Sequence, residues 1–82
     1  MPASDHSKKA AIAIILQAAD KWPSSFVARS QISKFTGGLL APGTCANADS
    51  AGTGIKGAFR VGRQIAYPCA AVTDYLVSRL EA

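Results

Sequence analysis

The sequence has few of the residues on which metal sites and catalytic sites depend. Histidine occurs once, at His6, and cysteine twice, at Cys45 and Cys69, with no Cys-x-x-Cys pair. A structural zinc site needs about four nitrogen or sulfur ligands, more than these residues supply. A single histidine near the N-terminus is also poorly placed to activate a serine or cysteine nucleophile.

Paired carboxylates and phosphate-binding glycine loops are missing as well. Asp20, Asp49 and Asp74 fall on different predicted elements, with no spacing that would pair two of them for acid–base catalysis. The segment Gly52-Thr53-Gly54 lacks the Gly-Lys-Ser/Thr that completes a P-loop. The sequence therefore predicts a protein that is not an enzyme and that holds neither a metal nor a cofactor.

Long hydrophobic runs are absent. The longest unbroken apolar run covers residues 10 to 16, whereas a membrane-spanning helix needs about 20 apolar residues. The run follows Lys8-Lys9 and so resembles a weak signal peptide, but it is short and Asp5 precedes it. We expect a cytoplasmic protein without membrane contact. The alternative is a small secreted protein closed by a Cys45–Cys69 disulfide.

The residues that are present fit one small domain. The chain has 82 residues, and although 49% of them are hydrophobic, sixteen are alanine, so the bulky side chains suffice for one thin core. We expect a disordered tail over residues 1–6 and a single domain over residues 7–82. Nine Lys and Arg against five Asp and Glu give a net charge of +4, which favours an anionic partner such as nucleic acid.

Residues 7 to 21 have the pattern of an amphipathic helix. Apolar side chains recur at helical spacing, and Pro23 ends the pattern. The predicted buried stripe comprises Ile12, Ile15, Leu16, Ala19 and Trp22. Ile14 lies off this stripe, either as an isolated exposed residue or as part of a second contact face.

The middle of the chain predicts a helix-turn-helix. Residues 26 to 28 read as a short extended segment, and Ser30 is placed to cap a short helix over residues 31 to 36. Gly37-Gly38 ends that helix, and Pro42 is in a favoured first-turn position of a second helix, which runs to about Ser50. Two short helices joined by a tight glycine turn are typical of this motif.

Beyond residue 54 the hydrophobic period changes from 3.6 to 2, which predicts a β-hairpin. A three-residue loop over Gly62-Arg63-Gln64 would place Val61 opposite Ile65 and Phe59 opposite Tyr67. All four apolar side chains would then share one face. Pro68 is expected to open a last helix, in which Val72, Leu76 and Leu80 recur at helical spacing. The fold class is therefore α+β, mostly helical.

The basic residues cluster around the hairpin. Between Asp49 and Asp74 every charged residue is basic, and further basic residues flank the first short helix. The second short helix offers an asparagine that can bond adenine, a threonine methyl that can meet thymine, and an early glycine that lets its backbone approach phosphate. The predicted DNA-contacting residues are Arg29, Lys34, Gly43, Thr44, Asn47, Lys56, Arg60 and Arg63.

The hairpin sequence resembles a known family. Residues 59 to 68, Phe-Arg-Val-Gly-Arg-Gln-Ile-Ala-Tyr-Pro, look like the x-Arg-[Ile/Val]-Gly-Arg-x-hydrophobic-x-[Ile/Tyr]-Pro wing of excisionase-like proteins in the MerR-type group. Residues 76 to 79 resemble the Leu-x-x-Arg segment of the helix that follows it. Asp49-Ser50-Ala51-Gly52-Thr53-Gly54 is similar to a segment of small bacterial and phage-derived members. The sequence departs from the family at Ala41 and Cys45, where a polar cap and a bulky apolar residue are common.

The resemblance implies a winged helix-turn-helix with an extra N-terminal helix, a small β-hairpin wing and a C-terminal helix. It implies a sequence-specific or architectural DNA-binding protein, excisionase-like or a prophage-type transcription regulator. The second short helix, with Thr44 and Asn47, would enter the major groove. The wing, with Arg60 and Arg63, would lie on the backbone or in the minor groove.

One recognition helix reads only about three to four base pairs, so we expect the protein to need help in finding a site. The expected partners are double-stranded DNA together with a second copy of the chain or a recombinase or integrase. The alternative function is a non-catalytic adaptor that docks a recombinase or polymerase through the helix over residues 7–21.

Overall fold

The computed structural model describes the backbone of residues 2–80 and the side chains of residues 8–80. The elements follow in the order α1 (Pro2–Lys21), β1 (Phe26–Ala28), a 3₁₀ turn (Arg29–Gln31), α2 (Ile32–Phe35), α3 (Pro42–Ala51), β2 (Phe59–Val61), β3 (Gln64–Pro68) and α4 (Cys69–Ser78). Helices account for 56% of the described residues, and the three strands form one antiparallel sheet. The α+β, mostly helical fold with a helix-turn-helix and a hairpin wing is therefore confirmed.

Helix α1 begins earlier than the sequence pattern indicated. It starts at Pro2, so residues 2 to 6, which we expected to form a disordered tail, are helical; Met1 lies outside the described residues. A proline in the first turn loses no helical hydrogen bond, and the alanines that follow favour the helix.

The buried stripe of α1 differs from the predicted one at one residue. Ile12, Ile15, Ala19 and Trp22 are partly buried, whereas Leu16 is 48% exposed. Helix α1 packs against the ten-residue α4. Because Ala18 and Trp22 pack against the core, they set the direction of the buried stripe, and Leu16 lies beyond its edge.

Two glycines and two hydroxyl groups shape the turn between α2 and α3. Gly37 and Gly38 have φ values of 64° and 91°, which glycine adopts without steric cost. The buried Thr36 hydroxyl donates to the Ile32 carbonyl and accepts from the Leu40 amide at 3.1 Å, while the Ser33 hydroxyl donates to the Leu40 carbonyl. The turn is therefore closed by side chains as well as by backbone.

The two short helices differ from prediction only at their ends. Residues 29 to 31 form a 3₁₀ turn ahead of α2, so Ser30 lies within this turn and is not the N-cap. Helix α3 has Pro42 in its first turn and ends at Ala51, where Gly52 takes a left-handed conformation with φ of 76°. The predicted helix from Pro42 to about Ser50 is thus confirmed.

The sheet order is β1–β3–β2, with β3 in the centre. Residues 26 to 28, expected only to be extended, pair with β3 so that Val27 lies opposite Tyr67. In the hairpin, Arg60 pairs with Ile65 and Val61 with Gln64. The predicted three-residue loop is therefore wrong, since a two-residue turn over Gly62-Arg63 joins the strands.

The hairpin prediction failed because it assumed one apolar face. Phe59 lies on the opposite side of the sheet from Tyr67, where its ring packs edge-on against Phe26 at 5.9 Å between centroids. Val61, which is on the same side as Phe59, is 62% exposed. Gly62 has φ of 61°, as a two-residue hairpin turn with glycine first requires.

The core lies between the sheet and the helices. Its buried members come from β1, α2, α3, β3 and α4, together with Leu40 and Ile55 from the connecting segments. They are Val27, Ile32, Phe35, Leu40, Cys45, Ile55, Tyr67, Cys69 and Val72.

Both cysteines are buried free thiols, and burial raises the pKa of each. They fill core space, so the disulfide of the secreted alternative is not formed. Pro68 ends β3, and α4 begins one residue later than expected, at Cys69. Among the described residues, no helix is long and apolar enough to cross a membrane.

Candidate nucleic-acid interface

Helix α3 presents the three residues that the sequence predicted to contact DNA from this helix. Gly43, Thr44 and Asn47 are all exposed. Their spacing of three and four positions places them side by side on one face of a helix. Cys45 points into the core from the opposite side. The face of α3 that is predicted to contact DNA is therefore exposed, continuous and uncharged.

The predicted basic contacts divide into three locations. Arg29, Lys56 and Arg60 line one groove, which has a volume of about 490 Å³ and lies between the end of α3, the segment over residues 52–58 and β2. Arg63 is exposed in the turn at the tip of the hairpin. Lys34 lines a separate groove between α1 and α2, together with Lys21.

Arg60 reaches the groove because of the hairpin register, which the apolar pattern of the sequence did not predict. It pairs with Ile65, and paired residues of an antiparallel sheet project to the same side. Arg60 therefore projects to the side of the sheet that also carries Tyr67 and Val27. The polar and apolar faces that we expected for the hairpin are mixed.

Arg29 is held by an ion pair with Asp49 of α3. Its Nη2 atom lies 2.6 Å from Asp49 Oδ2, and its Nε donates to the Tyr67 hydroxyl at 2.9 Å. The Tyr67 hydroxyl in turn donates to the same Asp49 oxygen at 2.7 Å. The Arg29 and Asp49 side chains are 26% and 23% exposed. Each member of this Arg29–Asp49–Tyr67 triad thus contacts both others.

The pKa values of Arg29 and Tyr67 are both raised in this site. Hydrogen bonds from Arg29 to Tyr67 and to Asp49 raise the pKa of Arg29, which is charged at any ordinary pH. Desolvation is the main cause that raises the pKa of Tyr67 to about 12. At neutral pH the tyrosine is therefore a neutral hydroxyl that donates to the carboxylate.

The Asp49 carboxylate bonds residues of the sheet side and not the turn that follows α3. It accepts from Arg29 and Tyr67, while the Gly52-Thr53-Gly54 turn is held by backbone bonds, such as that from the Thr53 amide to the Ala48 carbonyl at 2.9 Å. Asp49 thus ties the end of α3 to the sheet.

Two residues of this site were not identified from the sequence. Tyr67 was read only as an apolar strand residue, although its hydroxyl bridges Arg29 and Asp49. Gly54 lies so close to the Asp49 carboxylate that a Cβ atom would overlap it. The one available signal was the Asp-Ser-x-Gly-x-Gly segment, in which Asp49 and Gly54 are the first and last residues.

Comparison with protein-family models, curated proteins and solved structures found no match for this chain. The resemblance of the wing segment to excisionase-like proteins therefore stays a prediction. Among the described side chains, no three histidine, cysteine, aspartate or glutamate residues lie together as metal ligands would.

Proposed function

We propose that this protein binds double-stranded DNA without catalysis, as a small excisionase-like protein or a prophage-type transcription regulator of the cytoplasm. Helix α3 would enter the major groove, and the β2–β3 wing would lie on the backbone or in the minor groove. These placements follow from the exposed face of α3 and the basic residues of the hairpin.

One observation supports this proposal above the others. The single acidic residue of α3, Asp49, is engaged by Arg29. An unpaired carboxylate on a recognition helix would repel the phosphates of DNA. With Asp49 turned toward Arg29 and Tyr67, α3 offers DNA the neutral side chains of Thr44 and Asn47.

Base reading would depend on two side chains. Asn47 has the donor and acceptor that pair with adenine in the major groove, and Thr44 has a methyl group that fits against thymine. Because Gly43 has no side chain, the backbone of the first turn of α3 could approach a phosphate closely. Since α3 has no arginine or lysine, most of the affinity would come from Lys34, Lys56, Arg60 and Arg63.

Specificity would need a second binding unit. A helix that reads about three to four base pairs is too short to single out one site among roughly 10⁶ competitors. A second copy on a repeated site, or a recombinase or integrase bound beside it, would supply the missing base pairs.

The competing function is a protein-interaction adaptor that acts through α1. Ile14 on that helix is 66% exposed, so the helix has an apolar residue available to another protein. A titration separates the two functions. Fluorescently labelled random duplex at low salt should bind, with an affinity that falls steeply as salt rises. A folded protein that shows no affinity at the lowest salt would favour the adaptor.

A further inference from the structure

The groove between α3 and the wing has a mainly basic set of charged lining residues. Its charged lining consists of Arg29, Lys56 and Arg60 against the single carboxylate of Asp49. Ile55, which is 6% exposed, and the half-buried Ile65 form part of the same lining. Apolar neighbours strengthen the attraction between a cation and a bound anion because they lower the local dielectric constant.

The three basic side chains differ in their existing ion-pair and hydrogen-bond partners. Within residues 8–80, the Arg29–Asp49 contact is the only ion pair, so no described carboxylate pairs with Lys56 or Arg60. Arg29 is fixed in place by Asp49 and Tyr67. A bound anion would therefore meet two unpaired cations and a third that is shared with Asp49.

Asp49 occupies the position of an anion beside Arg29. Its Oδ2 atom accepts from the guanidinium and from the Tyr67 hydroxyl, two donors that would equally bond a phosphate oxygen. The carboxylate therefore competes, by its charge and by its bonds, with any anion that enters the groove.

We propose that this groove binds a phosphate group through Arg29, Lys56 and Arg60, and that Asp49 is a built-in competitor that limits the affinity. The phosphate belongs either to a DNA strand or to a free phosphate compound. The inference rests on the proposed function only for the first source, because Lys56 and Arg60 are among the DNA contacts of that function.

Inorganic pyrophosphate is the probe for the test. It is titrated into the ¹⁵N-labelled full chain at constant ionic strength, with chloride as the reference anion, and amide shifts are followed. Saturable shifts at Lys56, Arg60 and Gly54 are expected. Shifts no larger than those caused by chloride would overturn the proposal.

Charge variants test the assignment of residues. Lys56→Gln and Arg60→Gln should each weaken pyrophosphate binding roughly fivefold, about what one unit charge a few ångströms away is worth in water. Lys21→Gln, which removes an exposed lysine of α1 outside the groove, is the matched control and should leave the affinity unchanged. Equal losses in all three variants would contradict the groove.

The Asp49→Asn variant distinguishes a competitor role of Asp49 from a purely structural role. The amide keeps an acceptor for Arg29 and Tyr67 but removes the competing charge, so pyrophosphate should bind roughly fivefold more tightly. Weaker or unchanged binding in a variant whose amide spectrum is folded would overturn the competitor role. If Asp49→Asn does not fold, Lys56→Gln and Arg60→Gln still decide whether the groove binds the anion.

Repeating the titration with random duplex distinguishes DNA phosphate from a free phosphate compound as the ligand. It also distinguishes failure of the groove proposal from failure of the DNA-binding proposal. Binding of both probes, with DNA displacing pyrophosphate, assigns the phosphate to DNA. Binding of pyrophosphate alone supports the groove and overturns the DNA-binding function. Binding of DNA alone, with no change on Asp49→Asn, overturns the groove and leaves the proposed function standing.

Discussion

The carboxylate of Asp49 on α3 lies 2.6 Å from the guanidinium of Arg29, the residue that follows β1. The two residues are 20 positions apart in the chain, and their contact joins the candidate recognition helix to the sheet. The Tyr67 hydroxyl on β3 completes the connection. The orientation of α3 relative to the wing therefore depends on three polar side chains.

Removing the Tyr67 hydroxyl tests this connection. Tyr67→Phe keeps the buried ring but removes one hydrogen bond from Arg29 and one from Asp49. This loss should lower the free energy of unfolding by about 1–3 kcal/mol. Urea denaturation measures the change. Tyr75→Phe is the control, since that tyrosine lies partly exposed on α4 and its variant should change stability by less than about 0.5 kcal/mol. Similar losses in both variants would count against the triad.

The raised pKa of Tyr67 predicts loss of stability at high pH. The hydroxyl ionises near pH 10 in the unfolded chain and near 12 in the folded protein. Its contribution is therefore complete below pH 10 and is lost as the pH rises from 10 to 12, to a total of about 2–3 kcal/mol. Chemical denaturation of the parent protein and of Tyr67→Phe at several pH values isolates the contribution of Tyr67 ionisation to stability. Parallel curves for the two proteins above pH 10 would contradict the prediction.

Gly54 is predicted to be the glycine least able to accept a side chain. In Gly54→Ala the new methyl group would displace the Asp49 carboxylate and press on the Asp49 backbone, at a cost of about 1–3 kcal/mol. Gly43→Ala is the control, because a Cβ there meets nothing within 4 Å and the position is helical. It should stabilise the protein by up to about 1 kcal/mol. Thermal unfolding compares them, and a Gly54→Ala protein as stable as the parent would refute the close approach.

Arg63 at the hairpin tip is predicted to contact phosphate whatever the DNA sequence. Arg63→Gln should weaken binding to all duplexes and reduce the slope of log K against log salt by about one unit. Fluorescence anisotropy at several salt concentrations measures the slope. The control is Arg79→Gln on α4, where the guanidinium lies over the Tyr75 ring at 4.6 Å. An unchanged slope in Arg63→Gln would show that the tip of the wing does not contact DNA.

Asn47 is predicted to discriminate between bases and to add little general affinity. On a site selected from random duplexes, Asn47→Ala should lose about 1–3 kcal/mol of binding free energy, with a much smaller loss on random DNA. The ratio of the two affinities is the measurement. Equal losses on the two duplexes would show that Asn47 does not read a base.

Apart from the start of α1, the helices could be predicted from local sequence alone. Pro42 and Gly52 bracket α3, Gly37-Gly38 end α2, and Pro23 follows α1 closely. Proline fixes its own φ and has no amide hydrogen to donate, whereas glycine adopts the left-handed conformation that follows a helix without steric cost, so both mark helix ends with little influence from the rest of the chain. The exposed face with Thr44 and Asn47 follows from the same local pattern.

Contacts between distant residues were decided by the tertiary structure. The pairing of β1 with β3 and the partners of Asp49 join residues far apart in sequence. The position of Arg60 on the Tyr67 side depends instead on the register of the hairpin. Alternation along a strand shows which residues share a face, but it does not show which face is covered. Here Phe26 lies beside Phe59 on the outer side of the sheet, so apolar residues occupy both faces, and the register followed the two-residue turn at Gly62.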